Sequence, residues 1–526
     1  MNKRILSVLI ALSILLSTVA IGSFNAFAIT TDVLETEAEI NSAEATANQY
    51  GLLDNPQDGV ILHAWNWSYN NIKSNMKTIA ECGYTSVQVS PIQVAKENTR
   101  GVGVGNWWVF YQPADFVIDN TGSSALGTKA DFEKMCATAE SYNIDVIVDI
   151  VANHMGNKTA NDLSDSIIAD LRNDSSCWHD ITKDTTNYGN RFDVTQYCMA
   201  GLPDLNTGSK KVQTYVLNLL KECIDAGADG FRFDGAKHIE TPDDDPSFAS
   251  DFWPTVIYGA EDYAESKGLD LYCYGELLDH PDNVHGLPDS AYAKYYSITD
   301  NVWGNNVRDG VVGSGNAGNF GGTYHKNVAA SKLVLWAESH DTYAGEGSGS
   351  VSVQNINKTW ALVAARADAM SLYLARMEGF RPPYGLGVAY DIGWHEASVA
   401  AVNKFHTAFV GQSEYVANSG SIAYVERGTA GVVLVNCQGN EADVNVTANK
   451  IADGTYTDAV SGNTFTVAGG KITGKIGSTG IAVVYDAQAC AHETHDEKGF
   501  CAACSANVGH EFNAEGVCAC GKKEIP

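Results

Sequence analysis

From residue 60 onward, short apolar runs rich in β-branched residues alternate with longer stretches of helical spacing. This alternation constrains the fold more than any other feature of the chain. Strands are predicted over residues 60–65, 85–90, 145–151, 230–234, 271–276, 332–336 and 371–375. Helices are predicted over 72–82, which stops at Gly83, over 131–142, and over 212–226, with Gly227 past its end. The strands are almost continuously apolar. A strand that is half exposed alternates apolar and polar residues, whereas one covered on both faces does not. Strand–helix repetition with doubly covered strands predicts a parallel sheet wrapped in helices, and its length predicts a closed (β/α)8 TIM barrel spanning residues 59–412. A long, polar, irregular stretch over 155–211 follows the third strand. Insertions of that length in compact domains usually carry function.

The helical spacing stops near residue 413. Short strands at 422–427, 431–436, 443–447, 464–467 and 481–485, separated by Gly and Asn turns, predict an antiparallel β-sandwich over 413–488. The ends of the chain have a different character. Residues 1–28 read as a signal peptide, with Lys3 and Arg4, an apolar run over 5–21 and Ala26-Phe27-Ala28 as the cleavage site. Removing it takes away two positive charges and no acids, so the expectation is a secreted, extracellular protein with a net charge of 32 − 63 = −31. Residues 29–58 form an acidic leader with no Lys or Arg. The whole chain has 34 Lys+Arg against 63 Asp+Glu. That balance excludes a nucleic-acid binder, which needs a basic face against phosphate.

Chemistry-bearing residues gather at the ends of the apolar strands. Asp149 begins a run ending in Asn153 and His154. Arg232 and Asp234 are followed by Lys237 and His238. Glu276 ends the fifth-strand segment, and Glu338, His340 and Asp341 end a later one. In a barrel all C-terminal strand ends meet at one face, so Asp234, Glu276 and Asp341 are expected in one pocket with His154, Arg232 and His340 around them. Any one acid alone is as well read as a helix cap or a solvated loop residue. Arg232 and Asp234, two residues apart on a strand, point to the same face, so the guanidinium is placed to keep the carboxylate ionised.

These segments resemble the conserved regions of the α-amylase family, glycoside hydrolase family 13. The likeness rests on residues 149–154, the stretch Gly230-Phe-Arg-Phe-Asp-Gly-Ala-Lys-His238, Tyr274-Gly-Glu276, Glu338-Ser-His-Asp341, and Leu202-Pro-Asp-Leu-Asn206 in the insertion. The resemblance implies Asp234 as nucleophile, Glu276 as general acid and then base, and Asp341 as stabiliser of the oxocarbenium-like transition state. It implies substrate contacts from Tyr111, Gln112, His154, Arg232, Lys237, His238 and His340. Trp108 stands where close relatives usually carry a tyrosine. A calcium ion is implied as well, held by side-chain oxygens of Asn153 and Asp204 and backbone carbonyls of Thr195 and His238. The implied activity is endo-hydrolysis of α-1,4 bonds in starch, glycogen and malto-oligosaccharides with retention of configuration. The alternatives are an α-1,6-glucosidase or transglycosylase of the same family, and a non-catalytic starch-binding protein. The last is disfavoured because all three acids are present.

The resemblance does not extend to residues 489–526. Cys490, Cys501, Cys504, Cys518 and Cys520 crowd there with His492, His495 and His510. So short a segment needs a metal or disulfides to fold, and both readings stand: a zinc module with ligands among these cysteines and His510, or a disulfide knot with one cysteine left over. Its separateness suggests attachment to a cell surface or a multienzyme complex. In the insertion, Cys177 and Cys198 are placed where a disulfide could close the loop.

Overall fold

The computed structural model describes residues 50–485, apart from 51, 54, 101–103, 280–285, 315–316, 321–322, 346 and 380–384. The expected signal peptide, nearly all of the acidic leader and the Cys/His-rich module lie outside the described residues.

Eight parallel strands close into a barrel in sequential order: β1 (Val60–Ala64), β2 (Ser86–Val89), β3 (Asp145–Ile150), β4 (Gly230–Phe233), β5 (Tyr272–Gly275), β6 (Ser297–Thr299), β7 (Leu333–Trp336) and β8 (Met370–Leu374). Strand β8 returns to β1 with Val60 beside Ser371. The apolar runs are explained by burial on both sides. Val60, Leu62 and Ala64 pack outward against the helices, while Ile61 packs inward with Ile147, Tyr274, Val334, Trp336 and Leu372. Strand β6 has no predicted counterpart. It is only Ser-Ile-Thr, too short and too polar to show as an apolar run, and it is recruited by its neighbours β5 and β7. Gly230 opens β4 because a Cβ there would lie 2.2 Å from the Tyr272 carbonyl oxygen.

The insertion after β3 is a small lobe. Asp180–Asp184 pairs with Tyr197–Cys198, and the short helix Arg191–Gln196 lies between them. The lobe is stitched to the barrel by the Leu205 N–H on the Asn153 carbonyl (2.9 Å) and the Met155 N–H on the Pro203 carbonyl (3.1 Å). Cys177 and Cys198 do not bridge it. Both are free buried thiols, as are the other five described cysteines, and backbone hydrogen bonds close the lobe in place of a disulfide.

The last barrel helix ends at Ala408. Eight antiparallel strands follow: β9 (Glu414–Ser419), β10 (Ile422–Arg427), β11 (Gly431–Asn436), β12 (Ala442–Thr447), β13 (Gly454–Thr457), β14 (Thr464–Ala468), β15 (Lys471–Ile476) and β16 (Ile481–Tyr485). They form two four-stranded sheets, ordered β9-β10-β11-β16 and β12-β15-β14-β13, which enclose a core of Val432, Leu434, Phe465, Ile472 and Val484 among others. The outer face of the first sheet, with Ala423, Val425, Val433 and Val483, joins the barrel core at Phe405 and Phe409. Across the same seam Arg366 grips Glu414 through Nε and Nη2, and buried Arg427 donates to the carbonyls of Ala365, Arg366 and Phe409.

Candidate active site

A cleft of about 290 Å3 opens at the C-terminal ends of the barrel strands, lined by Trp107, Trp108, Tyr111, Gln112, His154, Tyr188, Asp234, Lys237, His238, Glu276, His340 and Asp341, among others. The three expected carboxyls are therefore together. Asp234 directly follows β4, Glu276 follows β5, and Asp341 lies in the short helix His340–Ala344 beyond β7. Asp234 and Glu276 are buried, whereas Asp341 is more open, with 30% of its side chain exposed.

Beneath them lies Arg232, whose side chain is 4% exposed. It is shared more widely than the sequence suggested. Nη1 donates to Asp234 Oδ1 (2.8 Å) and to both oxygens of Asp149 (2.7 and 2.9 Å), and Nη2 lies 2.5 Å from Glu276 Oε1. One guanidinium thus ties three carboxyls from three neighbouring strands. Burial alone would work against its charge, but the surrounding carboxylates outweigh that cost and raise its pKa well above the ordinary value. Asp149 had no assigned role in the sequence reading. It is fully enclosed, accepts from Tyr111 Oη (3.0 Å), and is pushed up to about 7 by burial, with Arg232 pulling the other way.

Tyr111, expected as a substrate contact, has one ring face stacked on His340 with centroids 5.1 Å apart. His340 is also boxed by His63, Trp65 and Trp107. This enclosure, with Arg232 nearby, drives its pKa down to about 3, so the ring is neutral. His154 Nε2 lies 3.0 Å from the Tyr111 carbonyl oxygen, while Nδ1 is buried without a hydrogen-bond partner. Gln112 Oε1 is likewise buried and unpartnered. Lys237 donates to the Leu278 carbonyl (2.8 Å), and its Nζ lies 5.3 Å from the Tyr188 ring centroid. Trp108 stands at the rim, 38% exposed, with Lys96 Nζ 5.4 Å from its ring centroid. Tyr188, an exposed ring on the insertion, was not anticipated; it belongs to a polar turn with no periodic signal.

Of the residues expected to hold calcium, Asn153 and Asp204 lie together where the insertion joins the barrel. Asn153 and Asp204 are buried, and Asp204 Oδ1 has no hydrogen-bond partner. Burial raises the Asp204 pKa well above the carboxylate range, while Asn153 beside it acts in the opposite sense. His238 is buried, with Nδ1 2.9 Å from the Val194 carbonyl oxygen, and Thr195 is buried in the adjoining helix. The unpartnered Asp204 oxygen and the Asn153 amide beside it are hard oxygen donors of the kind a calcium ion takes, while the Thr195 carbonyl accepts from Gln196 Nε2 (2.9 Å). His179 bonds the other oxygen of Asp204 at 2.7 Å, and its Nε2 lies 3.1 Å from Glu240. No group of three or more His, Cys, Asp or Glu poised for a metal occurs among the described residues. Asp204 is the single carboxylate among the four expected calcium ligands, whose other oxygens are an amide and two backbone carbonyls.

A closed (β/α)8 barrel that brings carboxyls from the ends of its fourth, fifth and seventh strands into one cleft has the layout of a barrel glycoside hydrolase. Residues 68–261 match the family model for the α-amylase catalytic domain. An α-amylase of Clostridium acetobutylicum is 36% identical over 446 residues, covering 83% of this chain and 55% of that protein. One from Butyrivibrio fibrisolvens is 33% identical over 477 residues, covering 82% of this chain and 47% of that protein. The chain thus spans about half the length of these curated relatives. Among solved structures, α-amylase I of Eisenia fetida superposes with a TM-score of 0.65 at 18% identity, covering 82% of this chain and 98% of that one, a likeness of fold. Over residues 68–261 the chain carries an α-amylase catalytic domain, and most of its length is similar to bacterial α-amylases.

Proposed function

We propose that this protein is a secreted, endo-acting α-amylase that hydrolyses internal α-1,4-glucosidic bonds of starch, glycogen and malto-oligosaccharides with retention of configuration. The observation that carries the reading is the single guanidinium of Arg232 gripping Asp234 through one nitrogen and Glu276 through the other. Retention requires a nucleophile and an acid set close together, about 5–5.5 Å apart, so that a covalent glycosyl intermediate can form. Asp234, ion-paired from below, attacks the anomeric carbon. Glu276 protonates the departing glycosidic oxygen, then accepts a proton from the water that releases the sugar. Asp341, more open to the cleft, faces the positive charge that develops on the ring. The neutral His154 and His340 are suited to hydrogen-bond sugar hydroxyls without adding charge. The relatives support the same reading: the Clostridium acetobutylicum and Butyrivibrio fibrisolvens proteins are named α-amylases, and a mutant of Eisenia fetida α-amylase I has been solved with maltohexaose.

Bound calcium, held by Asn153, Asp204 and the carbonyls of Thr195 and His238, would cross-link the insertion to the barrel and so keep one wall of the cleft in place. The segment 1–28 supports secretion, and attachment of the enzyme through the Cys/His-rich tail belongs to the same reading. The deciding experiment digests starch with wild type and Asp234→Asn and records the anomeric form of the first products. Wild type should release α-products, and the variant should lose about four orders of magnitude in rate. Residual activity near wild type would remove Asp234 as the nucleophile, and early β-products would remove retention.

A further inference from the structure

Beside Asp341 lies a buried ion pair that the proposed hydrolysis does not use. Glu338 stands two residues past the end of β7 and three before Asp341, and Arg376 stands two residues past the end of β8. Arg376 Nε donates to Glu338 Oε1 (2.6 Å) and Nη2 to Oε2 (2.8 Å), a two-pronged contact between side chains only 8% and 1% exposed. Nη2 also donates to the Ser348 carbonyl (2.9 Å) and Nη1 to the Val351 carbonyl (2.7 Å). The Ser348 hydroxyl donates to Glu338 Oε2 (2.7 Å) and lies 3.1 Å from Thr342 Oγ1. The guanidinium carbon sits 4.9 Å from the Tyr343 ring centroid.

These anchors bracket one short segment. Ser339 caps the helix His340–Ala344, with Thr342 completing the capping box, so His340 and Asp341 occupy its first turn. Nε, Nη1 and Nη2 of Arg376 and both oxygens of Glu338, which precedes that turn, are committed to one another or to Ser348 and Val351, which follow it. Neither side chain lines the cleft. Stability is a poor reason for such a pair. Withdrawing two charges from water costs several kcal/mol per ion, and apolar residues of similar volume often serve a fold equally well. A planar fork supplies directed geometry that a point charge or a methyl group does not.

We propose that Glu338 and Arg376 are positioning residues for the hydrolytic reaction: their fork sets the aim of Asp341 and His340 into the cleft. The inference rests on the hydrolase reading. Asp341 interacts most strongly with charge that exists only in the transition state, so a misaimed turn lowers kcat while the rest of the cleft still binds substrate.

The test compares wild type, Arg376→Lys and the double variant Glu338→Leu/Arg376→Met on p-nitrophenyl maltoheptaoside, with and without Asp341→Asn, each checked for folding by thermal melting. Both clamp variants should lose about 100-fold in kcat, the scale of an ångström-sized misplacement, with KM within about threefold of wild type. Asp341→Asn should then cost at least about tenfold less in the clampless background than in wild type, because its side chain is already out of place. If the double variant does not fold, Arg376→Lys, which keeps charge and bulk but not the fork, decides. An active wild type whose folded clamp variant keeps kcat within threefold, or whose Asp341 effect is fully additive, overturns the inference alone. A wild type that cannot cleave the maltoheptaoside overturns the hydrolase reading and the inference with it.

Discussion

Single residues do unequal work in this molecule, and some of the most heavily bonded lie far from the cleft. Glu426 in β10 is fully buried and accepts the backbone N–H groups of Asn449 (3.0 Å), Lys450 (2.6 Å) and Ile451 (2.8 Å). It acts as a receptacle for a loop whose amides have no strand partner. Glu426→Ala would strand these donors, and each unsatisfied buried group costs about 1–3 kcal/mol. The variant should unfold about 2–4 kcal/mol more easily in a urea titration, with activity per folded molecule unchanged. At this scale Asp234, Glu276 and Asp341 were legible because each ends or closely follows an apolar strand, and the barrel rule brings such ends together. The threefold sharing of Arg232 was not legible. Its partners Asp149 and Glu276 are 83 and 44 positions away, and only closure of β3, β4 and β5 makes them neighbours. Arg376 was missed for the same reason: nothing adjacent to it in the chain signals a partner.

Elements were readable where their local chemistry was complete. The helix Lys129–Ser141 begins with a capping box, in which Thr128 Oγ1 accepts the Asp131 N–H (3.3 Å) and Asp131 Oδ2 accepts the Thr128 N–H (3.0 Å). Thr128→Ala should therefore cost about 1 kcal/mol, measurable as a lowered melting temperature without loss of turnover. Strands with continuous apolar runs were placed to within a residue or two. The sixth barrel strand, three residues long, and the sandwich strands β9, β13 and β15 were missed. Strand β15, Lys-Ile-Thr-Gly-Lys-Ile, exposes Lys471, Thr473 and Lys475 and carries a glycine, so its apolar face is only Ile472 and Ile476. Such strands exist because neighbours offer hydrogen bonds and a core face, which is a tertiary cause.

For the whole molecule, the barrel and the sandwich share apolar core and buried arginine contacts across their seam. Calorimetry should accordingly show one cooperative transition for the two. Calcium is expected to act at this scale too. A chelator should lower the melting temperature by tying the insertion less firmly to the barrel, and an unchanged melting point would count against the site. Acid should destabilise the fold through its buried neutral histidines. His340 is held down to about 3, and His406, whose Nδ1 lies 2.7 Å from the Ala364 carbonyl oxygen, to about 4. Both rings are unprotonated in the folded state across a range where the unfolded chain binds protons. Stability is therefore unaffected by them above about pH 6.5 and falls as pH drops from there toward 4, by about 1.4 kcal/mol per unit for each group. Urea unfolding at pH 7, 6 and 5 checks the slope, and Phe in place of His406 should reduce it.

The amino-acid order by itself determined the alternation of elements, the barrel, the sandwich after it and the three carboxyls at strand ends, because each of these is written in local periodicity and local chemistry. Only the tertiary structure decided which groups share a charge, which thiols stay apart, where the shortest strands form and what aims Asp341. Those outcomes depend on distances between residues remote in the chain. Local spacing carries no record of such distances until the barrel closes.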